Sequence, residues 1–253
     1  MQLTSDGVAI ATTYDAPLSE GDRTCFVVGH GLTRRKDHPA VRRAVERLRT
    51  HGAVVSLDFR GHGDSGGRSS VGNTEIHDLE VAVAEARSHG HDRIVSLGFS
   101  MGAAIAIRHA ALIGGVDAVV AVSGPARWFE FGTPPMRRVH WVCDTRMGRW
   151  VGQIATRTRL GATWDPIPAA PIEVVGGLGV PLLVVHGDAD GYFPLDHPRA
   201  LAAAAPDVAL WLIPDMGHAT RAVSPELLDR IAGWAADRIG AGPHPAGDKL
   251  GDR

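Results

Sequence analysis

The feature that most limits what this chain can fold into is an alternation. Short apolar runs recur along it: Cys25-Phe26-Val27-Val28, Ala53-Val54-Val55-Ser56-Leu57, Ile94-Val95-Ser96-Leu97, Ala118-Val119-Val120-Ala121-Val122, Leu182-Leu183-Val184-Val185 and Val208-Ala209-Leu210-Trp211-Leu212-Ile213. Continuous apolar runs rich in β-branched residues suit strands buried on both faces, as in a parallel sheet covered by helices. Between them lie stretches of helical periodicity. Residues 39–49 place Val41, Val45 and Leu48 on one face, 76–87 place Leu79, Val83 and Ala86, and 225–239 place Leu228, Ile231 and Trp234. Residues 101–112 are alanine-rich and continue the alternation. The pattern predicts an α/β protein with a doubly wound, mostly parallel sheet. The opening LTSDGVAIATTY reads as two short strands around the turn-forming Ser5-Asp6-Gly7.

Two segments break the rhythm. Residues 124–179 contain no clear strand but hold Trp128, Trp141, Trp150 and Trp164, four of the six tryptophans. Within them Met136, Val139, Met147, Trp150, Val151 and Ile154 suggest one or two amphipathic helices. This segment is expected to be a helical cap inserted into a core formed by 1–123 and 180–239. Residues 240–253 are polar and rich in glycine and proline, the composition of a disordered tail.

Composition removes several function classes. A formal net charge of −2 gives no electrostatic reason to expect nucleic acid as a partner. The only cysteines are Cys25 and Cys143, so a disulfide framework is not expected and a reducing compartment fits better. The N-terminus lacks the basic-then-apolar pattern of a signal peptide, and no apolar run is long enough to span a bilayer. The expected location is the cytoplasm.

The chemistry is expected around Gly98-Phe99-Ser100-Met101-Gly102, a Gly-x-Ser-x-Gly pattern between a strand and a helix. A serine hydroxyl is a poor nucleophile until a base takes its proton, and the base needs a third group to fix its tautomer. Every other part is sought at the C-terminal end of a strand, where open α/β sheets bind ligands. Among thirteen histidines, His218 in Met216-Gly217-His218-Ala219 is the candidate base, because it follows the last strand; His62, His186 and His197 are rivals. Val185-His186-Gly187-Asp188-Ala189-Asp190 offers two acids, Asp188 and Asp190, each equally able to form an Asx-turn or cap a helix. Serine, then acid, then histidine is the chain order of one hydrolase arrangement. The loop Gly29-His30-Gly31-Leu32 can direct the Leu32 N–H to the site, with the Met101 N–H as a second oxyanion donor.

Taken together, His30-Gly31, Asp58-Phe59-Arg60-Gly61-His62-Gly63-Asp64-Ser65, Gly98 to Gly102, His186 to Asp190 and Gly217-His218 resemble the α/β-hydrolases over most of the chain. The branch they are most similar to holds cinnamoyl esterases, monoacylglycerol lipases and serine aminopeptidase-like hydrolases. The resemblance implies Ser100 as nucleophile, Asp190 rather than Asp188 as acid, His218 as base, and Leu32 and Met101 as oxyanion donors. It gives His62 a loop-shaping role. Gly191-Tyr192-Phe193-Pro194 departs from relatives that carry an early proline and aliphatics after the acid, which bears on the pocket.

The expected function is a serine hydrolase, carboxylesterase-like, cleaving an ester of an apolar acyl or aryl group through an acyl-enzyme. Trp128, Phe129, Trp141, Tyr192 and Phe193 are the candidate pocket residues. A thioesterase or acyltransferase would use the same triad, and a non-catalytic ligand-binding member of the fold is the alternative from another class. No cofactor is needed, and no close histidine spacing marks a metal site. The expected partner is a small-molecule ester or thioester, with no nucleic acid and no membrane span. An arginine-rich cap, with Arg34-Arg35-Lys36 near the oxyanion loop, would favour an anionic ester or an acyl thioester.

Overall fold

A computed structural model describes residues 1–19, 23–162, 164–219 and 222–240. The tail expected over 240–253 lies outside them except for Gly240, which closes the last helix. The N-terminus forms a small antiparallel pair, β1 (Gln2–Leu3) and β2 (Ala9–Ile10). Then come β3 (Thr12–Asp15), β4 (Thr24–Gly29), α1 (Pro39–Leu48), β5 (Ala53–Leu57), α2 (Ile76–Ser88), β6 (Arg93–Phe99), α3 (Met101–Leu112) and β7 (Ala118–Val122). The second half supplies α4 (Pro134–Asp144), α5 (Arg146–Thr156), α6 (Pro171–Val174), β8 (Leu182–Gly187), α7 (Asp196–Ala204), β9 (Val208–Ile213) and α8 (Pro225–Gly240).

Seven strands form one sheet in the order β3-β5-β4-β6-β7-β8-β9. All neighbours are parallel except the edge strand β3, which runs antiparallel to β5. All six apolar runs of the sequence are strands of this sheet. Successive side chains of β4 go to opposite faces: Cys25 and Val27 join the core under α2 and α3, while Phe26 and Val28 join the core under α1 and α8. The chain winds outward from β4 to β5 and then returns past it to β6. The sheet's switch point therefore lies between β4 and β6, where Gly29 pairs with Gly98, and the crevice beyond those strand ends is where such sheets bind ligands.

The helices follow local rules. Pro39 opens α1 behind His38, whose Nδ1 accepts from the Ala40 N–H at 3.2 Å, and Val41, Val45 and Leu48 are buried as the periodicity predicted. Helix α7 escapes that reading because it is short and its apolar residues are nearly all alanine, and it is seated by His197, Pro198 and Leu201.

The segment 124–179 divides in two. Helices α4 and α5 pair as a hairpin whose link is Thr145 alone; its hydroxyl accepts from the Gly148 N–H at 2.9 Å and donates to the Trp141 carbonyl at 2.8 Å. The far end, from α6 to Leu178, instead packs with α3 and α7, and Val175 and Leu178 belong to the main core. The periodicity of α5 is as expected but its direction is not. Met147, Trp150 and Ile154 are 69%, 65% and 64% exposed, and its only buried residues are Gly148 and Gly152. No described helix is long and apolar enough to cross a membrane.

Candidate active site

Ser100 sits in the turn between β6 and α3 with φ 55° and ψ −117°, a conformation that a non-glycine residue adopts only under constraint. Its N–H donates to the Val122 carbonyl at 2.9 Å, tying the turn to β7. The flanking glycines make the approach possible. A Cβ on Gly98 would overlap the Gly102 carbonyl, and one on Gly102 would overlap the Gly29 carbonyl. Glycine alone lets α3 start this close to β6 and β4.

The Ser100 Oγ lies 3.0 Å from His218 Nε2, and His218 Nδ1 lies 2.8 Å from Asp190 Oδ2. Oδ1 of Asp190 accepts from the Tyr192 and Phe193 N–H groups at 2.8 and 3.2 Å, which fixes the carboxylate plane. Burial opposes its charge, but the hydrogen bonds from His218 and from the Tyr192 amide outweigh that, holding the carboxyl below its ordinary value. An ionised Asp190 selects the tautomer with its proton on Nδ1, leaving the Nε2 lone pair aimed at Ser100.

The rivals occupy other positions. Asp188 accepts from the Asp215 N–H at 2.7 Å and ties the loop after β8 to the loop after β9. His186 lies buried behind the acid. Its Nε2 donates to the Phe193 carbonyl at 2.9 Å and stands 3.5 Å from Asp190 Oδ2, and burial lowers its pKa, keeping it neutral. His197 accepts from the Ala126 N–H at 2.9 Å and faces Glu130 at 3.0 Å, joining the start of the cap to α7. His62 lies between the Arg60 and Leu32 carbonyls, and so braces the loop after β4.

Leu32 and Met101 border the same cavity as Ser100. The loop carrying Leu32 is fixed from behind by His30. Its Nδ1 donates to the Gly31 carbonyl at 2.8 Å and its Nε2 accepts from the Phe59 N–H at 3.1 Å. Burial, with a lesser contribution from neighbouring His62, drives the His30 pKa well below its ordinary value, so this brace stays neutral. The Met101 N–H is the first amide of α3, which no intrahelical carbonyl can reach.

The cavity, of about 680 Å³, is mainly apolar. Trp128, Phe129, Tyr192 and Phe193 line it as expected, together with Met136, Leu160 and Trp164. Trp141 does not. It is 45% exposed, because Met136, Val139, His140 and Cys143 form the face of α4 that lines the cavity and Trp141 falls on another side of the helix. Cys143 also lines the cavity, but burial pushes its thiol up to about 12, so it holds no thiolate near neutrality. Among the described residues no group of three or more His, Cys, Asp or Glu is placed to hold a metal ion.

Two contributions were not read from the sequence. Ser123, at φ 51° just after β7, accepts from the Ala219 N–H at 3.0 Å and so anchors the residue beside His218; its only sequence signal is a Ser-Gly pair ending a strand. Tyr192, read as a pocket residue, also stacks on the His218 ring, with centroids 4.3 Å apart and planes 25° from parallel.

A family model described as "Serine aminopeptidase, S33" matches residues 22–165, more than half of the chain. Among curated proteins the chain is similar to a monoacylglycerol lipase of Mycolicibacterium smegmatis, 26% identical over an alignment 280 positions long that covers 91% of this chain and 94% of that one. Among solved structures it is similar to the Pyrococcus furiosus esterase Pf2001, 24% identical with a TM-score of 0.71, covering 94% of this chain and 91% of that one. Est1E from Butyrivibrio proteoclasticus, solved with ferulic acid bound, is 19% identical with a TM-score of 0.69, covering 95% and 99%. At these identities the structural likenesses establish the architecture, and the sequence match establishes the kinship: the chain belongs to the serine aminopeptidase S33 family of α/β-hydrolases.

Proposed function

We propose that the protein hydrolyses carboxylic esters with an apolar acyl or aryl group through an acyl-enzyme. The observation that carries this reading is the unbroken relay from Asp190 through His218 to Ser100 at the floor of an apolar cavity. Ser100 Oγ attacks the ester carbonyl carbon while its proton passes to His218 Nε2. Asp190 stabilises the imidazolium, and the Leu32 and Met101 N–H groups receive the oxyanion, each such donor contributing about 3 kcal/mol. Collapse breaks the ester C–O bond, and His218 returns the proton to the departing alkoxide. Water then repeats the sequence on the acyl-enzyme and frees the acid and Ser100. The likeness to a monoacylglycerol lipase and to esterases supports an ester as substrate. A cytoplasmic setting is supported by the two free thiols, Cys25 and Cys143.

The test is initial hydrolysis rates on p-nitrophenyl esters of increasing acyl length, for the wild type and Ser100→Ala. The proposal expects hydrolysis that disappears in the variant. Equal rates in the two proteins, or no hydrolysis of any ester by the wild type, would overturn it.

A further inference from the structure

The loop between β5 and α2 holds one residue against its own preference. Val71 has φ 55°, and for a β-branched side chain this left-handed region is a genuine outlier. The residue is held there from several sides. The carboxylate of Glu75, completely buried, takes the amides on both sides of Val71: Oε1 accepts from the Ser70 N–H at 2.8 Å and Oε2 from the Gly72 N–H at 2.9 Å. The same carboxylate accepts from the Ser69 and Ser70 hydroxyls at 2.8 and 2.6 Å. Buried Arg108 of α3 donates to the Gly72 and Asn73 carbonyls, and across the cap boundary to the Ala169 carbonyl at 2.9 Å. From the cap, Trp164 Nε1 donates to the Ser70 carbonyl, and the Trp128 ring covers Gly72 so closely that a Cβ there would come within 2.9 Å of it.

Backbone strain of this kind persists only where the surroundings over-determine it, and it collects at functional sites. Here its result is visible: Val71 is partly buried and lines the cavity that holds Ser100, and Trp128 and Trp164, which line it too, pack on its neighbours Gly72 and Ser70. A glycine would take the conformation freely, as Gly72 does at φ 102°, but would leave that wall open. We infer that Val71 is a specificity-determining residue that sets the length and width of acyl group the cavity admits, and that Glu75 is its positioning residue. The inference rests on the ester-hydrolase reading and adds the element of the wall that sizes the substrate.

The test compares Val71→Ala, Val71→Gly and Val71→Thr with the wild type on p-nitrophenyl esters from short to long acyl chains. Both truncations are expected to raise the ratio of long-chain to short-chain kcat/KM by about tenfold, the scale on which an apolar pocket discriminates small groups. Val71→Gly is expected to melt above Val71→Ala, because glycine accepts the left-handed conformation that alanine does not. Val71→Thr keeps shape and branching, so it is expected to fold normally and to lower kcat/KM on the longest apolar chains. Quenching of tryptophan fluorescence by fatty acids of the same lengths, in a Ser100→Ala background, reads the cavity without hydrolysis. Unchanged length preference in both readouts for all three folded variants overturns the inference. An inactive wild type with shifted fatty-acid binding in the variants overturns the hydrolase reading alone.

Discussion

The floor and the roof of the cavity are built on opposite terms. On the floor, Ser100, Asp190 and His218 stand at strand ends where backbone amides and buried side chains fix each one, as the Tyr192 and Phe193 amides do for Asp190 and Ser123 for the loop of His218. In the roof, α5 has no buried large side chain and turns Met147, Trp150 and Ile154 to solvent, and α4 buries only Met136. The floor's groups are over-determined, as proton transfer at fixed geometry needs. The roof rests on a few specific anchors, such as Trp164 Nε1 on the Ser70 carbonyl and Trp128 Nε1 on the Pro168 carbonyl.

Substitutions that remove floor groups should have the largest effects. Ser100→Ala is expected to lower kcat by about a million-fold, the scale for losing a triad nucleophile, with Tm unchanged or raised. Asp190→Asn should lower kcat by about ten-thousand-fold through the wrong His218 tautomer. It should also remove an acid-sensitive contribution to folding. With the folded pKa depressed, that contribution is full above the unfolded value and is lost as pH falls through the lower folded one. Urea titrations of wild type and variant between pH 7 and 3 measure this; parallel curves would contradict it.

Away from the site, the fold should also soften in acid at a second point. His109 in α3 is fully buried with neither ring nitrogen hydrogen-bonded, and burial lowers its pKa from 6.5 to about 4. Its unfolded form takes a proton first, so stability is constant above pH 6.5 and declines from there to about 4. The loss is on the order of 3 kcal/mol. His109→Leu should flatten that limb of the denaturation profile. Ser123→Ala should cost about 1 kcal/mol of stability and lower kcat about tenfold with little change in KM, since it loosens His218 and not the substrate. The smallest effects test the roof. Phe129→Ala should raise KM several-fold for apolar esters, while Trp141→Ala should change neither constant. Equal effects of the two would remove the distinction between the cavity side of the cap and its outer face.

The same contrast explains what the sequence disclosed. Ser100, Asp190 and His218 were legible because their positions are coded locally, each just beyond an apolar run that can only be a buried strand. The choice between Asp188 and Asp190 needed the family resemblance, because both sit in one turn, and only the fold sends the first to the Asp215 amide. Periodicity gave the cap helices and, in Met136 and Val139, part of the α4 face that lines the cavity; Trp141 is read into the pocket from its aromatic character, which does not say which side of a helix meets the core. Ser123 and the Glu75 carboxylate act on backbone groups of distant or reversed loops, and such contacts leave no pattern in the residues themselves.

Ser100, and no other nucleophile of the chain, is expected to become acylated. The most direct test is intact-protein mass spectrometry after incubation with a fluorophosphonate, followed by peptide mapping, on the wild type and Ser100→Ala. A single adduct on the peptide carrying Ser100 and an unmodified variant are expected. An unmodified wild type, or an adduct that persists in Ser100→Ala, would contradict this.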